Sequence, residues 1–357
     1  MYQIPKLPLQ LDVETKAVLK QLNSANKKLA ELKGVALTIP NESILINTLI
    51  LQEAKESSAV ENIITTHDDL YKADAELKSF AVSASTKEVV QYAGALKRGF
   101  DLIRNNKILT LSIIKEVQEV LECNKAGFRR LPGTNLKNQR QEVVYTPPQS
   151  YDEIVLHMDN LERYINDDSL QDVDPLIKMA IIHHQFESVH PFYDGNGRTG
   201  RILNILYLIL KDLIDAPILY LSKYIIRNKL QYYKLFQETR ESGDFEEWII
   251  YILVGIEEMA EETIITLNKI RDEILTMKHE LREKTKIYSK ELLEALFVEF
   301  YTKIPYIQKQ LGVSDKTAQK YLDSLVDMGF LTSEKIGRER IYRNERLFRI
   351  IKETDRV

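Results

Sequence analysis

The chain has 357 residues, 44% of them hydrophobic and 29% charged, and its formal net charge is −4. This composition is typical of a folded globular protein. It excludes a disordered chain and provides no general electrostatic attraction for nucleic acid or an anionic membrane. Cys123 is the only cysteine, which excludes an intramolecular disulfide and a cysteine-cluster metal site and favours a reducing compartment. No signal peptide or membrane span is evident, so we expect a cytoplasmic protein without a membrane partner.

Apolar residues at helical spacing predict that the first half of the chain is mainly α-helical. The predicted helices cover residues 13–32, 44–51 with the following segment EAKESSAVENIITT, 87–105, 112–123 and 151–166. Residues 127–149 interrupt this pattern, because a turn rich in Gly and Asn lies beside the strand-forming run 143–146. We predict a small β-hairpin there.

The second half begins with predicted helices at 174–188 and 199–213 around a loop, and further helices continue to residue 281. Beyond residue 301, two helices around a turn at 312–314 precede two strand-like runs, which predicts a winged helix-turn-helix. The predicted domains are an N-terminal helical region (1–84), a central catalytic domain (85–281) and the winged helix-turn-helix domain (282–357).

The loop between the two central helices reads HPFYDGNGRTGR at residues 190–201. Gly195, Gly197 and Gly200 have the GxGxxG spacing of a dinucleotide-binding fingerprint. That interpretation requires a preceding β-strand, whereas the residues before the loop predict a helix, and no GKS or GKT indicates a P-loop. A glycine-containing turn that opens a helix instead presents unsatisfied N–H groups to an anion, and phosphate fits this site.

The charged side chains of the loop indicate a polyphosphate accompanied by a divalent cation. Arg198 and Arg201 are three residues apart and can address different phosphates. Asp194 alone would repel phosphate, so its presence suggests a bridging magnesium ion. His190 can accept a proton at neutral pH, and Phe192 is expected to anchor the loop in the core.

Residues 190–201 resemble in full the signature HxFx(D/E)GNGRxxR of Fic-domain AMP transferases, and the resemblance extends through the flanking helices. It implies a mainly α-helical Fic-type core with a β-hairpin flap. It also implies transfer of AMP from ATP to a Tyr, Ser or Thr hydroxyl of a target protein or of the enzyme itself, with His190 as base and Mg²⁺ on Asp194. A homodimer is the assembly that the resemblance suggests. The implied nucleotide-binding residues are Gly195, Asn196, Gly197, Arg198, Thr199, Gly200 and Arg201.

A second motif, SSAVEN at residues 57–62, resembles the inhibitory motif (S/T)xxxE(G/N) of the family through Ser57, Glu61 and Asn62. Ser57 and Glu61 are four residues apart, so on a helix they share one face. The resemblance implies that Glu61 pairs with Arg201 in place of the γ-phosphate and keeps the resting enzyme nearly silent. A helix cap or a solvated helix face is the alternative interpretation.

Two further assignments concern the surroundings of the loop. The hairpin at 127–149 resembles the flap that pins a target segment by main-chain pairing, although a hairpin without a ligand is the alternative. Tyr233 is predicted to contact the adenosine, although tyrosines at helical spacing are commonly core residues. His183 and His184 are predicted to be core residues, because their spacing with His190 does not form the HExxH arrangement of a metal site.

The C-terminal region is locally basic and provides an alternative function. Ser314, Lys316, Thr317, Gln319 and Lys320 open its second helix, and Arg338, Arg340 and Arg343 lie on the predicted wing. Such residues can read DNA, so the alternative is a DNA-binding regulator whose Fic domain senses nucleotide or removes AMP. Winged helices also contact proteins, and nearby aspartates dilute the positive face.

Overall fold

The computed structural model describes residues 3–74, 82–138 and 140–354. Within these ranges the fold is mainly α-helical with small antiparallel sheets, as predicted. No helix in this part of the chain combines the length and the apolar composition required to cross a membrane. The helices up to residue 284 are α1 (Lys16–Ala36), α2 (Glu42–Val60), α3 (His67–Asp74), α4 (Ala84–Asn106), α5 (Leu111–Glu122), α6 (Tyr151–Asn166), α7 (Pro175–Val189), α8 (Asn196–Leu210), α9 (Leu221–Arg227), α10 (Lys229–Ser242) and α11 (Glu246–Lys284).

Helices α7 and α8 form the centre of the molecule, and almost all of their residues are buried. Helices α4 and α5 pack on α8, α2 packs on α4 and α9, and the long α11 packs along α1. Helices that are apolar all round require such cover on every side. The loop between α7 and α8 is therefore held on a rigid support.

The start of α8 corrects one predicted boundary, because the helix begins at Asn196 and not at residue 199. Gly195 adopts a left-handed conformation with φ +75° and ends the loop there. Its carbonyl accepts the first helical hydrogen bond, from the N–H of Thr199 at 2.8 Å. The helix also ends at Leu210, three residues before the predicted end.

The predicted hairpin is present as two short antiparallel strands, β1 (Leu136–Lys137) and β2 (Val143–Tyr145), whose register shifts between the two residues of β1. The remaining elements are α12 (Lys290–Val298), β3 (Tyr301–Thr302), α13 (Ile304–Leu311), α14 (Asp315–Asp327), β4 (Thr332–Ile336), β5 (Glu339–Arg343) and α15 (Glu345–Thr354). The second sheet has the strand order β3-β5-β4. Both helices and both strand runs predicted for the C-terminal region are thus observed.

The C-terminal region packs against the N-terminal helices as well as α11. The Tyr71 ring on α3 stacks on Phe300 with 3.9 Å between centroids, and the Asn41 side chain donates to Glu294 at 3.0 Å. The predicted boundary between residues 281 and 282 falls within the last turn of α11. The domain limits themselves stay predictions.

Candidate active site

His190 follows the last residue of α7 in a left-handed conformation with φ 49°. Its main-chain N–H donates to the Phe186 carbonyl at 2.9 Å, so the end of α7 fixes its position. Burial lowers the pKa of His190 to about 4, and the positive charge of Arg129 acts in the same direction. The imidazole is therefore neutral at pH 7, which is the state that a general base requires.

The loop after His190 is closed by the side chain of Asn196. Its Oδ1 accepts from the Phe192 N–H at 2.8 Å, and its Nδ2 donates to the Phe192 carbonyl at 2.9 Å. The Phe192 ring is fully buried, 5.3 Å from the ring centroid of Phe128, so it anchors the loop as predicted. The Asn196 side chain is already bonded to the Phe192 main chain. The predicted contact of Asn196 with phosphate would therefore be made by its main-chain N–H.

The N-terminus of α8 is suited to an anion. Gly195 occupies the cap position and has no side chain with which to satisfy the first N–H groups of the helix. Those groups and the positive end of the helix dipole favour a negatively charged ligand. Arg198 and Arg201 lie in the first two turns, with Thr199 and Gly200 buried between them. Two cations beside a helix N-terminus suit a polyphosphate.

The glycine spacing has a specific structural reason, because a glutamate lies against each glycine of the motif. A Cβ atom would meet the Oε1 atom of Glu122 at Gly195, that of Glu61 at Gly197 and that of Glu187 at Gly200. The missing side chains let carboxylates approach the main chain closely. In this helical setting, the GxGxxG spacing that resembles a dinucleotide fingerprint therefore allows three glutamates to approach the main chain.

Arg201 is buried and is held by the segment predicted to inhibit the enzyme. Its Nε donates to Ser57 Oγ at 2.8 Å, and one Nη donates to the Ser57 carbonyl at 3.0 Å. The same Nη forms an ion pair with Glu61 Oε1 at 2.8 Å. Burial alone would raise the pKa of Glu61, but the charge and hydrogen bond of Arg201 together with the charges of Arg198 and Lys229 lower it. The predicted partners are thus brought together.

Asn62, the third residue of the inhibitory motif, has a different position. It adopts a left-handed conformation with φ 63° just after Glu61 caps the end of α2. Its Oδ1 accepts from Lys229 Nζ at 3.1 Å. Asn tolerates this conformation better than most residues, so its contribution is to end the helix after Glu61.

Arg198, predicted to bind phosphate, is paired with two glutamates from other helices. One Nη donates to Glu88 Oε2 at 3.1 Å, and the other donates to Glu122 Oε1 at 2.9 Å. Burial raises the pKa of Glu122, and the charges of Asp194 and Glu88 add to this effect while Arg198 opposes it. A phosphate at Arg198 would therefore compete with these carboxylates.

Two further carboxyl groups are buried around Arg201. Burial raises the pKa of Glu53 and of Glu187 to about 7 in each case, and the charge of Arg201 partly offsets that rise. Glu53 accepts hydrogen bonds from the Tyr92 hydroxyl at 3.0 Å and the Ser222 N–H at 3.2 Å. The guanidinium therefore lies within a cluster of acidic groups.

Tyr232 and Tyr233 occupy different environments on α10. The Tyr232 hydroxyl is 2.8 Å from His183 Nε2 in the core. Burial lowers the pKa of His183 to about 3 and also places the pKa of His184 well below its usual value. Tyr233 is 47% exposed. Partial burial of its hydroxyl and the negative charge of Glu61 raise its pKa. Tyr233 thus borders the site, as its predicted contact with adenosine requires, whereas both histidines are core residues.

The flap presents an exposed apolar edge beside the loop. Val143 and Val144 are 54% and 44% exposed. The next residue, Tyr145, is buried and donates from its hydroxyl to the Ser188 carbonyl at 2.8 Å. This strand is therefore tied to the end of α7 while its outer edge faces solvent.

Sequence reasoning missed several residues of the site, namely Glu88, Glu122, Arg129, Glu187 and Tyr193. Glu88, Glu122 and Arg129 reach the loop from helices and segments that are distant in sequence. Glu187 lies three residues before the motif and Tyr193 lies within it, so their proximity was available as a signal. The others depend on tertiary packing, which periodicity does not report.

A magnesium ion fits the residues at the loop. The described residues contain no group of three or more His, Cys, Asp or Glu side chains arranged for a metal. Mg²⁺ is usually bound by one or two carboxylates together with nucleotide phosphates. Asp194 is exposed, and its charge interacts with that of Glu122. This donor set suits an ion that arrives with a triphosphate, and Asp194 would hold it.

Three family models match segments of the chain. Residues 19–101 match the Fic/DOC family N-terminal model, and residues 109–208, which contain the loop, match the Fic/DOC family model. The chain belongs to the Fic/DOC family. Residues 274–347 match the model of the protein adenylyltransferase SoFic-like C-terminal domain.

Curated relatives of this Fic/DOC protein include protein adenylyltransferases. The chain is 28% identical to the enzyme fic-1 of Caenorhabditis elegans over 162 residues, which is 44% of this chain and 30% of the relative. It is 27% identical to Fic of Drosophila erecta over 162 residues, or 43% and 31% of the two chains. The match spans less than a third of the length of either relative.

Solved Fic structures share the fold. A Fic family protein from Desulfovibrio desulfuricans G20 superposes with a TM-score of 0.60 at 18% identity, covering 96% of this chain and 98% of the other. A Fic domain containing signaling protein from Bacteroides thetaiotaomicron has a TM-score of 0.53 at 17% identity, with 71% and 97% covered. The Fic/DOC architecture therefore extends over nearly the whole chain.

Proposed function

We propose that this Fic/DOC protein transfers AMP from ATP to a hydroxyl group of a protein. The observation that carries the proposal is a neutral imidazole, His190, beside a helix N-terminus whose first turns provide Arg198 and Arg201. The names of the curated relatives support the same reaction. The target protein remains open, and the enzyme itself is one candidate.

In the proposed reaction the N-terminus of α8 and both arginines bind the triphosphate. Asp194 would hold Mg²⁺, which would supply further neutralisation of phosphate charge. The target hydroxyl gives its proton to His190 and its oxygen forms a bond to the α-phosphorus. The bond from that phosphorus to the bridging oxygen breaks, and diphosphate leaves with the electron pair. Positioning and electrostatic stabilisation provide most of the rate enhancement.

The resting protein is proposed to be inhibited by Glu61. Its carboxylate occupies Arg201, and Ser57 takes the remaining donors on the same side of the guanidinium. A γ-phosphate requires those donors, so it competes directly with the end of α2. Inhibition therefore requires no movement of His190 or of the loop.

The alternative of a DNA-binding regulator has weaker support. Arg340 on β5 is paired with Asp323 of α14 at 3.0 Å. Arg343 forms ion pairs with Glu345 and with Asp68 of α3. These basic side chains are engaged within the chain, which reduces the positive charge offered to phosphates.

The proposal is tested by incubating the full chain with α-labelled ATP and MgCl₂ and measuring label on protein. We expect Glu61→Gly to raise transfer roughly 5- to 150-fold, the usual range of a regulatory coupling, and His190→Ala in that background to abolish it. Glu56→Gly is the matched control, because Glu56 lies on the same helix but pairs with Lys55. Transfer that survives His190→Ala would contradict the role of His190 as base. An unchanged rate in Glu61→Gly would contradict inhibition by Glu61.

A further inference from the structure

Arg129 is a fully buried cation in the segment between α5 and β1. Its Nε donates to the His190 carbonyl at 2.8 Å. One Nη donates to the Pro148 carbonyl and is 3.5 Å from the Val189 carbonyl. The main-chain N–H of Arg129 donates to the Pro191 carbonyl at 2.9 Å. Arg129 therefore contacts the main-chain carbonyls of three consecutive residues, 189–191, with His190 in the middle.

The bonding of this guanidinium is unusual for a buried arginine. Its hydrogen bonds within the described residues all go to main-chain carbonyls, whereas buried arginines are normally paired with carboxylates. Burying an unpaired cation is costly, and an apolar side chain would fill the space at lower cost. The presence of arginine at this position is thus explained by its planar guanidinium group, whose N–H donors bridge two separate chain segments.

The two bridged segments are the two halves of the proposed reaction site. Val189 and His190 end α7, where the last carbonyls have no helical partner and a cation is favourable. Pro148 lies at the end of the flap segment, 127–149. Arg129 therefore caps the helix that carries the base and fastens the flap to that cap.

Two tyrosine hydroxyls reinforce the same junction. The Tyr193 hydroxyl accepts from the main-chain N–H groups of Arg130 and Leu131 at 2.9 and 3.2 Å. The Tyr145 hydroxyl donates to the Ser188 carbonyl at 2.8 Å. These bonds join the beginning and the end of the flap to the region around His190. Among the described residues, only Arg129 donates a hydrogen bond to the carbonyl of His190 itself.

We propose that Arg129 is a positioning residue that fastens the His190 main chain to the flap, so that a hydroxyl held at the flap is aligned with the imidazole. This inference rests on the proposed AMP transfer. The charge of Arg129 has a second effect, which is to disfavour protonation of His190, because an imidazolium would lie near an uncompensated guanidinium. The other charged groups around His190 are Arg240, which acts in the same direction, and Glu61, which acts in the opposite one.

The test uses the full chain carrying Glu61→Gly as the parent, with Arg129→Lys, Arg129→Met and the exposed Arg98→Met as a matched control. We expect both Arg129 variants to lower kcat for AMP transfer at least about tenfold, since misplacement of reacting groups by 1 Å costs up to about 10²-fold. The KM for ATP should stay within about twofold of the parent. Arg98→Met should match the parent in both constants.

Two measurements on the same variants do not depend on activity. Hydrogen exchange of the peptide containing residues 186–195 should accelerate in both Arg129 variants. The imidazole pKa of His190, followed by NMR, should rise in Arg129→Met and stay near that of the parent in Arg129→Lys, which keeps the charge. A role in stability alone would lower the melting temperature without separating these two variants.

The inference is overturned if Arg129→Lys keeps the kcat and the exchange rates of the parent. It is also overturned if Arg129→Met leaves the imidazole titration unchanged. If the parent itself transfers no AMP, the proposed function fails, and the exchange and titration experiments still decide the role of Arg129. If Arg129→Met does not fold, Arg129→Lys carries the test through kcat and exchange.

Discussion

The two arginines of the loop helix are both neutralised by acidic residues, but in different ways. Arg201 is held by a hydroxyl, a carbonyl and a carboxylate that all belong to the end of α2. Among the described residues, Arg198 is held only by the carboxylates of Glu88 and Glu122, and Glu88 is 40% exposed at its side chain. Rotation of the Glu61 side chain breaks the ion pair at Arg201, but breaking its contact with the Ser57 carbonyl requires movement of the α2 main chain. Rotation of two side chains is sufficient to free Arg198.

The acidic partners also differ in their electrostatics. Burial raises the pKa of Glu61, but Arg201, Arg198 and Lys229 together lower it below its usual value. The pKa of Glu122 is raised, because burial and neighbouring carboxylates outweigh the attraction of Arg198. The contact at Arg201 is thus a favourable ion pair, and the contact at Arg198 is a weaker one that a phosphate can displace. The difference indicates that regulation is concentrated at Arg201.

The largest expected effect is the loss of Arg201 itself. In the Glu61→Gly background, Arg201→Ala should lower AMP transfer about 10²- to 10³-fold, the usual effect of removing one preorganised donor. Arg198→Ala should lower it less, because its side chain is nearer to solvent-exposed acids. Transfer assays with labelled ATP measure both variants, and equal losses would contradict the distinction between the two arginines.

The next effect concerns the Ser57 hydroxyl, which accepts a hydrogen bond from Arg201 Nε. Ser57→Ala leaves the buried Nε of Arg201 without its acceptor, so the free energy of unfolding should fall by about 1–3 kcal/mol. Urea denaturation measures this change. Ser58→Ala is a control on the same helix, because the Ser58 hydroxyl is buried and has no hydrogen-bond partner among the described residues. A similar loss in both variants would remove the special role of Ser57.

A smaller effect is expected at Arg198. The double variant Glu88→Ala, Glu122→Ala should tighten binding of a non-hydrolysable ATP analogue by at most about fivefold, since partly exposed ion pairs are worth about 0–1 kcal/mol. Calorimetry with MgCl₂ measures the affinity. A gain as large as that of Glu61→Gly would show that both arginines are equally blocked in the resting protein.

The smallest effects appear in the pH dependence of stability. The folded pKa of Glu61 is lowered, so its ionisation stabilises the fold at neutral pH. That contribution begins to decline as the pH approaches the usual value of 4.5 and is lost only below the lowered folded pKa. The folded pKa of Glu122 is raised, so its ionisation opposes folding at neutral pH, and this effect disappears as the pH falls to about 4.5.

Paired unfolding curves check these signs. Glu61→Gln should be less stable than the wild type at pH 7, and the difference should shrink only in acid. Glu122→Gln should be at least as stable as the wild type at pH 7, and the two should converge near pH 4.5. The opposite order for the two variants would show that the acids have been assigned to the wrong electrostatic environments.

The contact at Arg201 was predictable from the sequence, whereas the contact at Arg198 was not. Ser57 and Glu61 share a helix face by their spacing, and the motif resemblance supplied their partner. Glu88 and Glu122 look like ordinary helix-surface acids, and only the packing of α4 and α5 on α8 brings them to the loop. Arg129 was missed for a related reason, because arginines are rarely buried and no periodicity marks one that is.

The helical fold class and the hairpin were predicted from periodicity and turn residues, and both are confirmed by the structure. The start of α8 was predicted three residues late, because the composition of the loop does not reveal that Gly195 already caps the helix. The packing of the C-terminal region on α2 and α3 was also beyond the sequence, since contacts between distant segments leave no periodic signal.

The glycines of the loop make the inhibited state sensitive to the smallest side-chain addition. At Gly200 an alanine methyl would collide with Glu187 Oε1, which is a buried atom. At Gly197 the methyl would meet Glu61, whose side chain is 37% exposed and can turn towards solvent. Under the proposed inhibition, release of Arg201 is thus accessible by single mutations on either side of the contact: a carboxylate lost from α2, or a methyl gained on α8.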